Sequence, residues 1–321
     1  MSSRSRKRSR NSVRVSPFRT NPYFNETAVS LKYNVYNMVK ILSGESLARR
    51  VLLNLKKKRH KNLSLAVVQV GDNQVSLKYI AEKEKVAKDL GIGFQLISFP
   101  PKVSQVTLTQ AVDKIGKDKG VSGMIVQLPL PKHLDTQRIL DLIPRGKDVD
   151  VLSSSSFAEF VFGTFPVLPP TVNAISMLLK KTEKKLEGTH VAMVGAGRLV
   201  GLPASLWLAQ QGAVVSLIQK GTRNASQLIK KADIVISGVG KAGLITGSMI
   251  KKGAVVIDAG TAISENVRRL ASNISRANKI VGDVDFKSVS KKAGYLSPVP
   301  GGVGPLTVAC LFRNLVFLTE Q

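Results

Sequence analysis

The sequence predicts an α/β protein made of two successive strand–helix series. Three observations carry that expectation. From Met38 onward, short apolar runs alternate with longer amphipathic stretches, a pattern that implies mostly parallel sheets with helices on their faces. The run Ser153-Ser154-Ser155-Ser156 breaks the alternation, and a second series starts near Pro169. At 321 residues the chain is long enough for two domains of ordinary size.

In the first series, Ser43 to Lys57 reads as an amphipathic helix and Ser64 to Val70 as a strand. Gln74 to Leu90 is a helix, Phe94 to Phe99 a strand and Gln105 to Lys119 a helix. Gly123 to Gln127 is a strand, ended by the prolines of Gln127-Leu128-Pro129-Leu130-Pro131, and Thr136 to Leu142 is a helix. The second series holds strands at His190 to Val194, Ala213 to Leu217, Ile234 to Ser237, Val255 to Asp258 and Lys279 to Val281. A last helix covers Thr307 to Leu318. Before it stands Pro298-Val299-Pro300-Gly301-Gly302-Val303-Gly304-Pro305. Three prolines and three glycines in those eight residues rule out a helix or a central strand there. Main chain in such a loop can approach a flat ligand closely.

After the strand ending at Val194 comes Gly195-Ala196-Gly197-Arg198-Leu199-Val200-Gly201, followed by a helical pattern. In this strand–loop–helix context the glycines permit a tight turn and close approach of backbone to a pyrophosphate at a helix N-terminus. No acidic residue follows the second strand, where NAD-binding sequences carry a ribose partner. Lys220 and Arg223 stand in that region instead and suit a 2′-phosphate, so NADP is favoured over NAD. In Tyr79-Ile80-Ala81-Glu82-Lys83 an aromatic ring and a lysine share a helical face. A lysine withheld from water loses part of its preference for the charged form. The neighbours Glu82, Glu84, Lys85 and Lys88 equally fit a solvated face.

These motifs, with Lys147-Asp148-Val149-Asp150 and Gly282-Asp283-Val284-Asp285-Phe286, resemble the bifunctional methylenetetrahydrofolate dehydrogenase/methenyltetrahydrofolate cyclohydrolase family from about Met38 to the C-terminus. The resemblance implies a three-layer α/β folate-binding catalytic domain at 38–165 and a Rossmann-type domain at 166–305. Residues 306–321 would pack back on the first. It implies Lys83 as the proton-transfer group, Gln127 as its orienting partner and Asp150 as the carboxylate on the pterin ring. Tyr79, Leu128, Pro129, Pro300, Gly301, Gly302 and Val303 would line the folate site. Gly195, Ala196, Gly197, Arg198, Gly201, Lys220, Arg223 and Thr261 would line the cofactor site. The implied chemistry oxidises 5,10-methylenetetrahydrofolate with NADP and hydrolyses the methenyl product to 10-formyltetrahydrofolate. The implied setting is cytoplasmic one-carbon metabolism feeding purine biosynthesis, in a homodimer acting on tetrahydrofolates with or without polyglutamate tails. Several positions depart from the family: Gly195-Ala196-Gly197 for Gly-Arg-Ser, Val151-Leu152 for Gly-Phe, Pro169-Pro170-Thr171-Val172 for Pro-Cys-Thr-Pro, Ser43-Gly44-Glu45 for Asp-Gly-Lys, and Thr261 for Ile. One retained activity instead of two stays an open alternative.

The net charge of +27 attracts polyanions. A basic nucleic-acid-associating protein that keeps the fold is therefore a second open reading, although no recognised nucleic-acid motif accompanies the charge. Residues 1–37 are rich in Ser, Arg and Asn without apolar periodicity. They read as a disordered basic extension, an organellar transit peptide or the product of an upstream start. The lone Cys310 lies in an apolar segment and excludes an intramolecular disulfide; three scattered histidines give no metal cluster, and no apolar run is long enough for a membrane span.

Overall fold

Two parallel sheets organise the chain. The computed structural model describes residues 39–58, 60, 62–263 and 280–321; the expectations for residues 1–37 and for Lys279 fall outside them. Residues 38–321 form one compact unit. Its first half runs β1 (Lys40–Ile41), α1 (Gly44–Lys56), β2 (Ser64–Val70), α2 (Gln74–Leu90), β3 (Gly93–Phe99), α3 (Gln105–Lys117), β4 (Gly123–Val126), α4 (Thr136–Leu140) and α5 (Ser154–Val161). The second half runs α6 (Pro170–Leu179), β5 (His190–Val194), α7 (Gly201–Gln210), β6 (Val214–Ile218), α8 (Ala225–Lys231), β7 (Ile234–Ser237), β8 (Val255–Asp258), β9 (Ala262–Ile263), β10 (Ile280–Val281), α9 (Phe286–Val289), β11 (Tyr295–Leu296) and α10 (Val303–Thr319).

The smaller sheet has the order β3-β2-β4 and the larger β1-β11-β8-β7-β5-β6, all parallel. Period-two alternation sends each strand's side chains to two different cores. Leu65 and Val67 of β2, Val191 and Met193 of β5, Ile234 and Ile236 of β7, and Val255 and Ile257 of β8 all enter one central cluster. Their alternating neighbours Ala66 and Val68 face a second cluster, and Ala192, Val235 and Val256 a third. Helices α1, α6 and α10 fill the central layer between the sheets. Asn314 on α10 is buried and its Nδ2 donates to Val149 O at 3.0 Å and Leu168 O at 2.9 Å. Asn314→Ala should therefore lower the melting temperature, because truncation strips two interior carbonyls of their donor at a cost of about 1–3 kcal/mol. Thermal unfolding followed by circular dichroism measures it.

Three expectations need correction. The serine run does not merely break the pattern: Ser153 caps α5, its Oγ accepting from Ser156 N at 3.3 Å. Serine is a favoured helix-capping residue, and Phe160 is buried by the helix that follows. The proline–glycine run does enter a helix, since α10 begins at Val303 rather than Thr307. Pro305 sits in its first turn, where the amide has no intrahelical acceptor to lose. Finally, β10 does not extend the parallel series; it pairs antiparallel with β9 in a separate ribbon. Strand β1, for which periodicity gave no signal, is two residues long and forms the edge of the larger sheet beside β11.

Candidate active site

Helix α2 presents Lys83 to the interior. Asn73 caps its start, accepting from Val75 N and Ser76 N, and Gly91 ends it in the left-handed conformation. Ser76, Ile80, Lys83 and Ala87 lie on its buried face at helical spacing, so the solvated-face alternative for Lys83 is excluded. Only 7% of Lys83 remains exposed. Its Nζ donates to Gln127 Oε1 at 2.7 Å. Gln127 Nε2 in turn donates to Leu128 O at 3.2 Å, which directs the amide oxygen at the lysine. Burial pushes the Lys83 ammonium below the ordinary lysine range, and the charge of Asp150 opposes that shift. Burial likewise pushes the Asp150 carboxyl up, against the pull of Lys83 and with the help of Asp148. The two groups thus perturb one another in a site partly closed to water.

The two aspartates of Lys147-Asp148-Val149-Asp150 have different surroundings. Asp148 is fully buried and accepts from Leu152 N at 3.1 Å and Ser153 N at 2.9 Å, so it is a turn anchor. Directly after Asp150 comes a backbone anomaly: Val151 has φ 59°. A β-branched side chain is strained in that region, and the resembled family carries glycine there. The carboxylate of Asp148 closes the turn across the strain by holding Leu152 N and Ser153 N beyond it.

Tyr79, one helical turn before Lys83, reaches the other half of the molecule. Its hydroxyl lies 3.1 Å from Thr261 Oγ1, just beyond β8. It also abuts the start of α10, where a Cβ on Gly304 would stand 3.1 Å from its oxygen. The 298–302 loop is fixed from behind by α1: Glu45 N donates to Gly301 O at 3.0 Å, and a Cβ on Gly44 would lie 1.8 Å from Gly302 O. Gly301 has φ 101°, which only glycine adopts readily. Leu128 is half-buried and accepts from Ser76 Oγ at 3.3 Å, while Pro129 and Pro300 are exposed.

In the larger sheet, Gly195 turns with φ 96° and α7 starts without a side-chain cap. A Cβ on Gly201 would lie 1.8 Å from Gly195 O, whereas Gly197 faces open space. Arg198 does not lie over this turn; its guanidinium donates to Gln137 Oε1 on α4. Gln137 Nε2 donates to Asp141 Oδ1 at 2.7 Å and to Ser154 Oγ at 2.9 Å, so the turn is tethered to the first half. Lys220 and Arg223 are exposed on the β6–α8 loop. Among the described residues no three His, Cys, Asp or Glu side chains gather as a metal site. Cys310 is buried in α10, and burial pushes its thiol up to about 11.

The sequence reading quoted Asp283 within a motif but gave it no role, and it missed its pairing with a second buried carboxylate, Asp258, at the carboxyl side of the larger sheet. Asp258 accepts from Gly260 N at 3.0 Å, Asp283 N at 3.1 Å and Val284 N at 2.9 Å. Burial still pushes it up to about 6. The available signal was the pairing of each acid with a glycine nearby in sequence. A Cβ on Gly260 would lie 2.1 Å from Asp283 Cγ, and one on Gly282 would lie 1.9 Å from Asp258 Oδ2.

The fold and this site define a two-sheet α/β protein with a dinucleotide-type turn on one sheet and a buried lysine–amide pair beside the other. The family model for the tetrahydrofolate dehydrogenase/cyclohydrolase catalytic domain matches residues 42–150, and that for its NAD(P)-binding domain matches 169–321. The bifunctional protein FolD of Thermodesulfovibrio yellowstonii is 37% identical over 287 residues, covering 88% of this chain and 96% of the relative. A crystal structure of the bifunctional FolD dehydrogenase/cyclohydrolase from Campylobacter jejuni shares 35% identity with a TM-score of 0.80, covering 88% of this chain and 99% of that one. The Trypanosoma brucei enzyme, solved with NADP and an inhibitor, shares 29% identity with a TM-score of 0.82, covering 88% and 98%. The chain belongs to the tetrahydrofolate dehydrogenase/cyclohydrolase family.

Proposed function

We propose that this protein oxidises 5,10-methylenetetrahydrofolate to the methenyl compound with NADP and hydrolyses that product to 10-formyltetrahydrofolate, both beside Lys83. The observation that carries this reading is the buried Lys83–Gln127 pair in a chain that matches both family domains. The 38–165 segment holds the folate, with Tyr79, Leu128, Pro129, the 300–302 loop and Val303 at the start of α10 as its walls, and the 166–305 segment holds the dinucleotide. Asp150 offers acceptor oxygens to ring N–H donors. Lys83, disposed toward its neutral form, takes a proton from the attacking water and returns one to the leaving folate nitrogen. Gln127 keeps the amine on its line of approach.

The residues present fit a dinucleotide. The turn closes tightly at Gly195 and Gly201, Gly197 is open above, and the N-terminus of α7 is free of side-chain caps, an arrangement suited to phosphate. The nicotinamide supplies a hydride acceptor. This chain holds it in place with the turn, Thr261 and the loops after β7 and β8. Family-type phosphate contacts at Ala196 and Gly197 are missing, and Arg198 is engaged by Gln137, so Lys220 and Arg223 carry the 2′-phosphate preference.

An absorbance assay with methylenetetrahydrofolate and each nicotinamide cofactor tests the function, and disappearance of added methenyltetrahydrofolate tests the second step. NADP should give the higher kcat/KM, and Lys220→Ala should narrow the gap between cofactors; equal or better use of NAD by the parent would remove that assignment. The homodimer forms through β6, an unshared edge of the larger sheet where Val214 is 59% exposed. Sedimentation of the parent and of Val214→Lys reports on it.

A further inference from the structure

The chemistry above leaves Asp258 and Asp283 without a task, yet both are buried and between them they bond to backbone of three segments, at 239–241, 260 and 283–284, near the carboxyl ends of the larger sheet, where ligands of open parallel sheets bind. Asp283 Oδ2 accepts from Ser237 Oγ and from Val239 N, each at 2.7 Å, and its Oδ1 accepts from Lys241 N at 2.7 Å. That carboxylate therefore fixes the 237–241 loop after β7. The glycine-rich turn leans directly on this loop. A Cβ on Gly195 would come within 2.9 Å of Gly238 O, and a Cβ on Gly238 within 2.6 Å of Val200 Cγ1. Asp258 seats Asp283 by accepting from its backbone N–H, and Ser297 Oγ accepts from the N–H of Asp258 at 2.8 Å. The same aspartate accepts from Gly260 N, next to the Thr261 that meets Tyr79. One chain of contacts thus runs from the acid pair to the turn and to the Tyr79–Thr261 bridge.

We infer that Asp283, seated by Asp258, is a positioning residue for the dinucleotide: it sets the wall on which the 195–201 turn rests and so governs hydride transfer, without entering the hydrolysis step. The inference rests on the two-activity reading proposed above, because hydrolysis serves as the internal control. Bonds from N–H groups to an ionised carboxylate are about twice as strong as neutral ones. An amide in its place keeps one acceptor oxygen and turns an NH2 toward the donors.

The test is equilibrium titration of NADP with purified Asp283→Asn and Ser237→Ala, alongside both turnover assays. Asp283→Asn should weaken NADP binding about tenfold and raise the KM for NADP in parallel, consistent with lost charge-assisted bonds. Methenyl hydrolysis should stay within about threefold of the parent, well short of the loss of an acid–base group. Ser237→Ala, which removes a single bond, should move NADP binding in the same direction by less. A role in stability alone would lower both activities together. Parallel loss of hydrolysis, or an unchanged Kd in both variants, overturns the inference; if Asp283→Asn does not fold, an unchanged Kd in Ser237→Ala does so by itself. A parent that binds NADP but turns over no folate would remove the proposed function, while weakened NADP binding in the variants would still uphold the role of Asp283.

Discussion

Lys83→Met should abolish methenyl hydrolysis while the protein still folds and still binds folate. Methionine keeps an unbranched apolar stem in the buried slot on α2 and deletes the group that donates to Gln127 Oε1. Loss of a positioned acid–base group costs about 10²–10⁴-fold. Hydride transfer depends more on placement than on proton exchange, so it should fall less. The pH profile gives a second readout. Because burial holds the Lys83 ammonium below the usual lysine range, the amine form persists to lower pH than in an exposed lysine. Hydrolysis in the parent should therefore decline as pH falls through that depressed value, and the residual activity of the variant should lack the inflection. Gln127→Ala should also impair hydrolysis by releasing the amine from its line. Stopped-flow absorbance of methenyltetrahydrofolate measures all three; hydrolysis by Lys83→Met within about threefold of the parent, below that range, would sink the assignment.

Much of this site was legible in the sequence because its signals are local. The spacing of Tyr79 and Lys83 on one helical face needs only the helix period. The glycine turn is recognisable because it stands between a strand and a helix. Chain ends of elements fell within a few residues because caps such as Ser43, Asn73 and Ser104 are local too. What could not be read depends on contacts between distant segments. Strand β1 consists of two residues that become a strand only by pairing with Tyr295 and Leu296. Arg198 reads as a cofactor-site residue from its place beside the turn, but its partner Gln137 is on another helix. Asp283 was visible as part of a motif; that it holds Val239 and Lys241 is a fact of tertiary structure. The strain at Val151 shows only once its φ is known, although the substitution of valine for the family's glycine marked the place.

Gly201→Ala should separate the two activities in the opposite sense to Lys83→Met. The new methyl would stand 1.8 Å from Gly195 O and 2.6 Å from its carbonyl carbon, with Ala196 Cα at 3.0 Å. All three are backbone atoms, so no side chain can swing aside, and the turn itself must open. Gly195 cannot retreat freely, because Gly238 O and Val239 already crowd it from the far side. The first turn of α7 and the pyrophosphate cradle would be displaced by an ångström or so, and a misplacement of that size costs about 10²-fold in rate. Dehydrogenase activity should fall accordingly, with most of the loss in the KM for NADP. Lys83, Gln127 and Asp150 belong to the first half of the chain and have no contact with this methyl. Hydrolysis should thus stay within about threefold of the parent, below the cost of a lost acid–base group. Paired assays on one preparation of the variant decide the matter. Full dehydrogenase activity would mean that the turn does not carry the cofactor, and equal loss of both activities would mean that the substitution unfolds the protein rather than the cradle.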